Sequence, residues 1–438
     1  MSNFKTLDDL PAAQRVLVRL DLNSPVEFGR ARDYRRPEER DLTVSELAEA
    51  GHLDLEAPVE GGQVQDNRRF ERHARTVREL AEAGHRVVCM AHQGRPGGDA
   101  FVSLEQHADI LASHVGRDVG FVADTFGEAA IAAIRDLDGG EILLLENVRM
   151  CDEELPEEEP NVKAETEFVR TLAPEFDAYI NDAYSSAHRA HASLVGFPRV
   201  LPAYAGRVMQ TEYEANTAIA GREFEGQVTM IVGGTKATDV IDVMSHLGEK
   251  VDRFLLGGIA GQLFMRAAGH PVGYDTDPEM DLFDRQWDTN RELIEGIVEE
   301  RGDPVLLGTD MAYEDEGGER AEVDVADIEQ TGGVFLDIGT DTAEQFADVV
   351  RDSEAVFVKG ALGVFEDARF SVGTATVLKA IAESDCFSVV GGGDTSRAIE
   401  MYGMSEDDFS HVSIAGGAYI RALTGAHLVG IEMLERAE

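Results

Sequence analysis

The sequence predicts an α/β protein of two Rossmann-like domains with parallel sheets, joined by a helical hinge. Short apolar runs that end in polar or glycine-bearing loops recur along the chain, and helical patterns separate them. That alternation is typical of parallel sheets covered by helices. The character of the loops changes near residue 205, and 438 residues exceed the usual size of one domain. We therefore expect one sheet on each side of that boundary.

The predicted strands of the first half end in polar side chains. Four runs carry this pattern: RVLVRLDLN (15–23), HRVVCMAHQGRPGG (85–98), EILLLENVR (141–149) and FDAYINDAYSSAH (176–188). Helices are predicted between them over 73–84 and 104–116, and each ends at a glycine that suits a left-handed helix cap. Segment 28–62 far exceeds the roughly 2–6 residues of an ordinary strand-to-helix loop. We treat it as an insertion, in which TVSELAEAG fits a short helix.

The predicted strands of the second half end in glycine turns. Five runs show this pattern of an apolar strand followed by a glycine turn: QVTMIVGGTKATDVIDVMSHLG (227–248), FLLGGIAGQLFMRAAG (254–269), GVFLDIGTDTAEQFADVV (333–350), AVFVKGALGVFED (355–367) and FSVVGGGDTSRAIEMYG (387–403). A connecting helix is predicted over 206–221. We therefore predict domains at 1–205 and 206–405, a hinge near 205–210, and a C-terminal segment at 406–438. Because ligands bind at the carboxyl ends of parallel strands, each domain should present one ligand edge.

Acidic side chains outnumber basic ones by 84 to 39, for a formal net charge of -45. A nucleic acid or an anionic membrane requires an extended basic surface, so neither is an expected partner. Only six lysines occur, and such a composition suits a salt-rich cytoplasm, where screening acts over about 3 Å at 1 M. Three cysteines without metal-ligand spacing indicate reduced thiols and no zinc site. The sequence shows no signal-peptide pattern and no long apolar run, so we expect a cytoplasmic protein.

The second half carries three glycine turns that fit a nucleotide phosphate. VGGGDT (390–395) follows an apolar strand and begins a helix, so its N–H groups and the helix N-terminus favour an anion. Asp394 in this turn suits Mg²⁺ bound to that phosphate. IVGGTKATD (231–239) adds Lys236, and HVSIAGGAYI (411–420) is a third turn. The alternative is tight strand-to-helix packing, but three turns favour phosphate binding, and none matches a P-loop or a dinucleotide-binding pattern.

The first half offers a complementary set of basic and polar side chains. It comprises Asp21 and Asn23 in RLDLN, Arg69 in DNRRF, His92 and Arg95 in HQGRP, Arg149 in ENVR, and His188, Arg189 and His191 in AHRAH. A basic cluster in so acidic a chain indicates a bound anion, such as a small molecule with phosphate and carboxylate groups. A solvated loop is the alternative for AHRAH, and a turn-forming side chain is the alternative for Asp21.

The motifs together resemble those of one family. Phosphoglycerate kinases carry, in the same order, motifs similar to RLDLNSP, DNRRF, HQGRPGG, LLENVR, INDAYSSAHRAHAS, VGGTKATD, LLGGIAGQLF, DIG, KGALGVFE, FSVVGGGDT and HVSIAGGA. The resemblance spans roughly residues 15 to 430 and omits mainly 28–62. It implies a reversible, Mg²⁺-dependent transfer of the acyl phosphate of 1,3-bisphosphoglycerate to ADP, which gives ATP and 3-phosphoglycerate in glycolysis and gluconeogenesis. The acidity further suggests a salt-adapted member.

The resemblance implies that domain 1–205 binds 3-phosphoglycerate. The residues that match the family's substrate site are Asp21, Asn23, Arg69, His92, Arg95, Arg149, His188, Arg189 and His191. Arg69 matches the arginine that stabilises the phosphoryl group during transfer. The resemblance also implies that 406–438 returns to this domain and that the two domains close on their ligands.

The resemblance implies that domain 206–405 binds Mg²⁺ with ATP or ADP. The matching residues are Gly233, Gly234, Lys236, Gly257, Gly258, Lys359, Glu366, Gly392, Gly393, Asp394 and Thr395. Of these, Lys236 and Gly393 join Arg69 as the catalytic set. Glu366 matches a residue that contacts ribose, and Asp394 matches the metal-binding position.

Two positions depart from the family pattern. Val240 stands where many members carry a second lysine, and Lys359 stands where the family has asparagine. We hypothesise that Lys359 partly replaces the missing charge; a lysine that merely ends a strand is the alternative. Val240 also keeps open a non-catalytic binding protein of the same fold, and a kinase of another small phosphorylated acid is a further alternative. Following the resemblance, we expect a monomer whose partners are small molecules.

Overall fold

The structure is a computed structural model of the chain. It describes residues 3–28, 62–98, 100–220, 222–235, 238, 241, 244, 250–272, 281–301, 305–330, 335–414 and 428–436. The chain divides into two compact units, one formed by residues 1–217 with 426–438 and the other by residues 218–425. None of the described helices combines the length and the apolar character needed to span a bilayer.

The first unit is built on a six-stranded parallel sheet. The strands of this unit are β1 (Arg15–Arg19), β2 (Val26–Phe28), β3 (Gly62–Val64), β4 (Arg86–Met90), β5 (Gly120–Val122), β6 (Ile142–Leu145), β7 (Ala178–Asn181) and β8 (Ala203–Ala205). The order across the large sheet is β5-β6-β4-β1-β7-β8, so β1 lies between β4 and β7. The middle residues of its inner strands are buried and apolar, as in ILLL of β6, because helices cover both faces of a parallel sheet.

Helices follow most of these strands. They are α1 (Arg68–Glu82), α2 (Glu105–Val115), α3 (Glu128–Asp136), α4 (Pro160–Ala164), α5 (Glu167–Leu172) and α6 (Arg207–Ala220). Asn67 caps α1 by accepting a hydrogen bond from the Arg69 N–H over 2.9 Å. Gly116 ends α2 in the left-handed conformation, as predicted, and its N–H donates to Ala112 O over 2.8 Å.

The ends of the predicted insertion are joined by a small antiparallel sheet. β2 pairs with β3, with Val26 opposite Val64. The Gln106 side chain fixes β3 to α2, since it donates to Gly62 O over 2.8 Å and accepts from the Val64 N–H over 3.0 Å. Residues 29–61, with the predicted TVSELAEAG helix, lie outside the described residues.

The second unit has its own six-stranded parallel sheet. Its elements are β9 (Val228–Val232), β10 (Arg253–Leu256), α7 (Gly258–Ala267), α8 (Asp281–Arg301), β11 (Val305–Leu306), β12 (Asp310–Glu314), β13 (Arg320–Asp324), β14 (Phe335–Ile338), α9 (Thr340–Arg351), β15 (Ala355–Lys359), α10 (Val372–Ala382), β16 (Phe387–Gly391), α11 (Gly393–Met401) and β17 (His411–Ser413). The strand order is β11-β10-β9-β15-β16-β17. The two parallel sheets with their helices confirm the predicted α/β fold class.

One predicted strand does not join the parallel sheet. The run 333–350 was expected to add a parallel strand, but β14 pairs antiparallel with β12, which also pairs antiparallel with β13. A connection through Gly317 and Gly318, the latter with φ of +81°, allows the tight β12–β13 hairpin. The second unit therefore carries a separate three-stranded sheet.

The units divide at 217/218 and 425/426, later than the expected boundaries at 205/206 and 405/406. The start of α6 is tied to the first unit, since the Arg207 N–H donates to Thr76 Oγ1 over 3.0 Å and its guanidinium pairs with Glu79. β17 keeps the chain in the second sheet beyond residue 405. The last helix, α12 (Val429–Arg436), lies in the first unit, where the Gly430 N–H donates to Ala187 O over 2.7 Å.

Candidate functional site

The carboxyl ends of three central strands meet at one edge of the first sheet. Arg19, the last residue of β1, pairs in register with Met90 of β4 and Asn181 of β7. Asp21 and His92 each follow their strand by two residues, so both leave the sheet at the same level. The parallel sheet thereby gathers side chains that are far apart in sequence, as expected of a ligand edge.

Asp21 is the centre of this edge. Its buried carboxylate accepts hydrogen bonds from Arg69 Nη1 and from the hydroxyl of Ser185, and its Oδ1 lies 3.9 Å from His92 Nε2. Burial raises the pKa of this carboxyl group, but Arg69, His92 and the Ser185 hydrogen bond together lower the pKa of Asp21 well below its usual range. Asp21 is therefore ionised and holds Arg69 in a fixed position.

His73 and Asp182 lie behind Asp21, and no motif in the sequence singled them out. The Asp21 N–H donates to His73 Nε2 over 3.3 Å, and His73 Nδ1 lies 2.8 Å from Asp182 Oδ2. Because Nε2 accepts, the ring proton sits on Nδ1 and is donated to Asp182. The other Asp182 oxygen accepts from the N–H of Val208 and of Met209, in the first turn of α6.

Arg19 and Glu154 form a second buried layer, which no motif in the sequence predicted. Arg19 Nε donates to Ser193 Oγ over 2.8 Å, and Arg19 Nη2 lies 3.0 Å from His92 Nδ1. Ser193 in turn donates its hydroxyl and its N–H to Glu154, each over 2.7 Å. Arg19 gave no signal because it looks like an ordinary polar position in a strand pattern, and its partner Ser193 lies 174 residues away.

Arg149 and Asn23 meet at the loop after β4. Arg149 Nη1 donates to Gly94 O, and the Gly94 N–H donates to Asn23 Oδ1 over 2.8 Å. Burial, together with the nearby Arg19, lowers the pKa of Arg149 to about 10. Its guanidinium therefore remains a cation at neutral pH. Arg95, in the same loop, is exposed.

The AHRAH stretch places Arg189 and His191 beside Glu157. Arg189 Nη1 donates to Glu157 Oε1 over 2.9 Å, and His191 Nε2 lies 4.0 Å from the same oxygen. Burial and the nearby Arg149 lower the pKa of His191 to about 3, so this ring is neutral at neutral pH. His188 is half-buried in the turn before Arg189. Of the predicted set, Asp21, Arg69 and His92 are thus in direct contact or within about 4 Å.

The carboxyl ends of the second sheet also lie level with one another. Lys359 at the end of β15 pairs in register with Val232 of β9 and Gly391 of β16, and Val232 pairs with Leu256 of β10. The glycine turns that follow these strands therefore occupy one edge. Lys236 and Val240 lie outside the described residues.

The glycines after β9 and β10 are packed against the loop after β15. The Gly233 N–H donates to Lys359 O over 2.9 Å, and the Gly234 N–H donates to Ala361 O over 2.7 Å. A Cβ on Gly233 would stand 2.0 Å from Ala361 O, which no larger residue could tolerate. The Gly257 N–H likewise donates to Val232 O, and the Gly258 N–H donates to Leu362 O. Gly233, Gly257 and Gly258 therefore allow close packing of backbone segments, whereas Gly234 supplies the left-handed turn, with a φ of +87°.

The turn after β16 is open by comparison. Gly392 has a φ of +108°, and a Cβ added to Gly393 would meet nothing within 4 Å. α11 begins at Gly393, and the N–H groups of a first helical turn have no partner within their helix. Asp394 is exposed in that turn, whereas the buried Thr395 hydroxyl accepts from the Gly360 N–H over 3.2 Å. An exposed carboxylate beside N–H groups that have no partner within their own helix fits a metal-bound phosphate.

Glu366 stands next to the same helix. Its Oε1 lies 3.9 Å from Arg397 Nη1 on α11, and its side chain is exposed. The loop that carries Glu366 is fixed by a hydrogen bond next to it, in which the Tyr402 hydroxyl donates to Phe365 O over 3.1 Å. The predicted nucleotide residues that the structure describes thus surround the ends of β9, β10, β15 and β16.

Comparisons with known proteins identify the family. A family model described as phosphoglycerate kinase matches residues 52–426. The phosphoglycerate kinase of Halorubrum lacusprofundi is 66% identical over 437 residues, with 100% of this chain and 99% of that protein covered. That of Haloarcula marismortui is 65% identical over 99% of this chain and all of that protein, and both relatives come from halophilic archaea.

The fold agrees with this relationship. The crystal structure of phosphoglycerate kinase from Pyrococcus horikoshii superposes with a TM-score of 0.83 at 29% identity, and 98% of each chain is covered. The order of the motifs, the two parallel sheets and the full-length similarity agree with one another. The chain therefore belongs to the phosphoglycerate kinase family and is a salt-adapted member of it.

Proposed function

We propose that this protein catalyses the reversible transfer of the acyl phosphate of 1,3-bisphosphoglycerate to ADP, which gives ATP and 3-phosphoglycerate. The observation that carries the proposal is the gathering of arginines at the carboxyl edge of the first sheet of a chain with a net charge of -45. Arg69 is held there by Asp21, and Arg149 is held by Gly94. Full-length similarity to phosphoglycerate kinases supports the same reaction.

The proposed acid-substrate site lies on the first unit. Arginines and neutral histidines supply hydrogen-bond donors for phosphate and carboxylate oxygens. We assign to it the nine residues Asp21, Asn23, Arg69, His92, Arg95, Arg149, His188, Arg189 and His191. Asp21 orients Arg69 rather than meeting the anion, because its Oδ2 already accepts from Arg69 and Ser185.

The proposed nucleotide site lies on the second unit. The open turn at Gly392, Gly393, Asp394 and Thr395 would hold the phosphates, and Asp394 would bind the Mg²⁺ that neutralises them. Gly233, Gly257 and Gly258 shape the floor by close packing, and Gly234 supplies the turn between them. Glu366 would face the ribose, and Lys236 and Lys359 would add positive charge. Small molecules are then the only proposed partners of a cytoplasmic monomer.

The chemistry requires alignment and charge neutralisation rather than a general base. The attacking oxygen and the leaving group are both anions, so no proton must be removed before transfer. Negative charge on the transferring phosphoryl group is instead stabilised by fixed donors. Arg69 is such a donor, since Asp21 and the Asn67 cap restrict both its side chain and its backbone. Gly393 and Lys236 complete the proposed catalytic set.

An assay in molar KCl with MgATP and 3-phosphoglycerate tests the proposal. The expected result is turnover that requires both substrates and falls roughly 10²-fold or more in Arg69→Ala. Arg75→Ala is the matched control, because Arg75 is exposed on the same helix, α1. Arg69→Lys keeps a cation beside Asp21 and so preserves the fold. A loss of turnover in this variant is therefore a loss of catalysis rather than of folding. A folded wild-type protein that binds both ligands without turnover would favour the non-catalytic alternative.

A further inference from the structure

The buried ring of His92 is influenced by charged groups from three segments of the first unit. Arg19 ends β1 and is 1% exposed, and its Nη2 lies 3.0 Å from His92 Nδ1. On the opposite side of the ring, His92 Nε2 faces Asp21 Oδ1 at 3.9 Å. Arg149, from the loop after β6, and Arg69, from α1, are the other charged groups that act on the ring. Three cations and one anion therefore surround one imidazole.

The contact with Arg19 determines which nitrogen of His92 carries the proton. A guanidinium has only N–H donors, so His92 Nδ1 must accept in this contact. The ring proton then lies on Nε2, the nitrogen that faces the site. A doubly protonated ring would place an N–H on Nδ1 against the Arg19 N–H, and would also add a fourth positive charge.

The charged groups around His92 also favour the neutral ring, because a protonated ring would add to the positive charge already there. Burial is the main cause that lowers the pKa of His92, and Arg149, Arg19 and Arg69 act in the same direction, whereas Asp21 opposes them. The result is a pKa well below the ordinary value for histidine. His92 thus remains a neutral donor throughout the physiological range.

Arg19 is itself held rigidly. Its Nε donates to Ser193 Oγ, its Nη1 donates to Leu20 O, and the hydroxyl of Ser193 donates to the fully buried Glu154. The main chain of this serine is fixed as well, because the Tyr179 hydroxyl donates to Ser193 O over 2.8 Å. Glu154 balances the charge of Arg19 through the intervening hydroxyl, so the guanidinium is stable in the interior.

We propose that Arg19 is a positioning residue that keeps His92 neutral, with its proton on Nε2, and so presents the acid substrate with a hydrogen-bond donor that does not titrate. Arg19 acts through His92 rather than by touching the substrate. The statement about the substrate rests on the proposed function, whereas the statement about the tautomer does not. The positive charge of the site then comes from arginines, which keep it at any working pH.

The tautomer is measured directly by nitrogen NMR of the full chain labelled with ¹⁵N-histidine, with the His92 signals identified by loss in His92→Gln. In the wild-type protein we expect an unprotonated Nδ1 and a protonated Nε2 at every pH between about 5.5 and 8. A proton on Nδ1, or a titration within this range, would overturn the proposal. Neither reading requires substrate or a change at Arg19, and the assignment requires only that His92→Gln folds.

The role of Arg19 is measured with Arg19→Gln. Arg19 is one of three arginines that lower the pKa of His92, so we expect its removal to raise that pKa and to let the ring become a cation at the acid end of the range. A cation binds the anionic substrate more tightly, so the ratio of KM for 3-phosphoglycerate, variant over wild type, should fall as pH falls. The expected fall is up to about tenfold for each unit by which the substrate raises the pKa of His92. Using a ratio cancels the titration of the substrate phosphate, whose second pKa is about 6.

Two further variants complete the test. Arg15→Gln removes an arginine from the other end of β1, where it donates to Glu175 O over 3.2 Å, and should give a ratio that does not vary with pH. Arg19→Lys keeps a cation beside His92, so its ratio should vary less than that of Arg19→Gln. A pH-independent ratio in Arg19→Gln would overturn the proposal. Absence of wild-type turnover would instead overturn the proposed function and leave the NMR result standing.

Discussion

His73 Nδ1 lies 2.8 Å from Asp182 Oδ2, and both side chains are buried. The pair links two segments of the first unit, because His73 Nε2 accepts from the Asp21 N–H and Asp182 Oδ1 accepts from the Val208 and Met209 N–H groups. A continuous series of hydrogen bonds therefore runs from the loop that carries Asp21 to the first turn of α6. The position of Asp21 and the start of the connecting helix depend on one another.

Asp182→Asn should destabilise the first unit by about 1–3 kcal/mol. If the amide oxygen accepts from Val208 and Met209, the amide nitrogen faces the His73 Nδ1 proton. If the ring moves that proton to Nε2, the proton faces the Asp21 N–H instead. If the amide is reversed, its nitrogen faces the two backbone N–H groups. Every arrangement therefore leaves buried N–H donors facing one another. The resulting loss in the free energy of unfolding is measured by urea unfolding in molar KCl.

This unfolding should be followed by circular dichroism rather than by tryptophan fluorescence. The single tryptophan, Trp287, lies in the second unit, so its fluorescence would not report on the first. Asp177→Asn is the control, since Asp177 is exposed and its Oδ2 accepts from the Arg15 N–H over 2.8 Å. The amide oxygen can replace that acceptor, so the control should unfold like the wild type. Equal stability of Asp182→Asn and the wild type would contradict the assigned proton positions.

The sequence predicted the ligand edges because they follow from strand order alone. Any polar residue just after a parallel strand reaches the same edge, so Asp21 and His92 were found without knowledge of their partners. Arg19 and Glu154 were not found, since a buried charge looks like a surface charge until its partner is known. Their shared partner, Ser193, lies 174 residues from Arg19 and 39 residues from Glu154.

The three-stranded sheet was missed for a different reason. YEDEGGERAEVD (313–324) carries a Gly-Gly turn between alternating residues, which is a hairpin signal. The glycine-bearing run that includes β14 was grouped instead with the parallel strands, because both kinds of strand are short and apolar. Pairing partners decide between the two, and β14 finds its partner in β12 rather than in the large sheet.

Acid should destabilise the protein partly through His107. This side chain is fully buried, its Nε2 lies 3.0 Å from Gln93 Oε1, and burial lowers its pKa to about 4. The unfolded state binds a proton near the ordinary histidine pKa of 6.5, whereas the folded state does not until about 4. The stabilisation is therefore complete above 6.5 and is lost as pH falls towards 4, with a slope of up to about 1.4 kcal/mol per pH unit.

His107→Gln should remove that slope while keeping stability near neutral pH, because the glutamine amide can donate to Gln93 in place of Nε2. His107→Asn should show the same reduced slope at lower absolute stability, because the shorter asparagine amide does not reach Gln93 Oε1. Urea unfolding at several pH values between about 4 and 7 measures both. An unchanged slope in both variants would mean that other groups account for the acid sensitivity.

Asp394→Asn should raise the Mg²⁺ concentration that gives half-maximal rate by at least about tenfold. The carboxylate is exposed in the first turn of α11 and would bind the cation only in its ionised form, whereas an amide is a weaker ligand. Asp341→Asn is matched to it, because Asp341 occupies the same second position of α9 and is also exposed. Equal Mg²⁺ dependence in the two variants would remove Asp394 from the proposed metal site.

Lys359→Ala should lower kcat roughly tenfold or more if this lysine supplies charge that Val240 does not. The structure places Lys359 at the carboxyl end of β15, between Val232 and Gly391, where the glycine turns begin. Lys379→Ala, a change on the exposed face of α10, is the control. Turnover equal to that of the control would leave Lys359 as a residue that only ends a strand.

Salt should stabilise the fold by screening the net charge of -45. At 0.1 M the Debye length is about 10 Å, so neighbouring exposed carboxylates repel one another, whereas at 1 M it is about 3 Å. We expect the thermal midpoint to be lower in 0.1 M than in 2 M KCl. Sucrose at matched osmolality separates screening from solute exclusion, since it strengthens burial without carrying charge. If sucrose restored the midpoint as well as KCl does, exclusion rather than charge screening would explain the dependence.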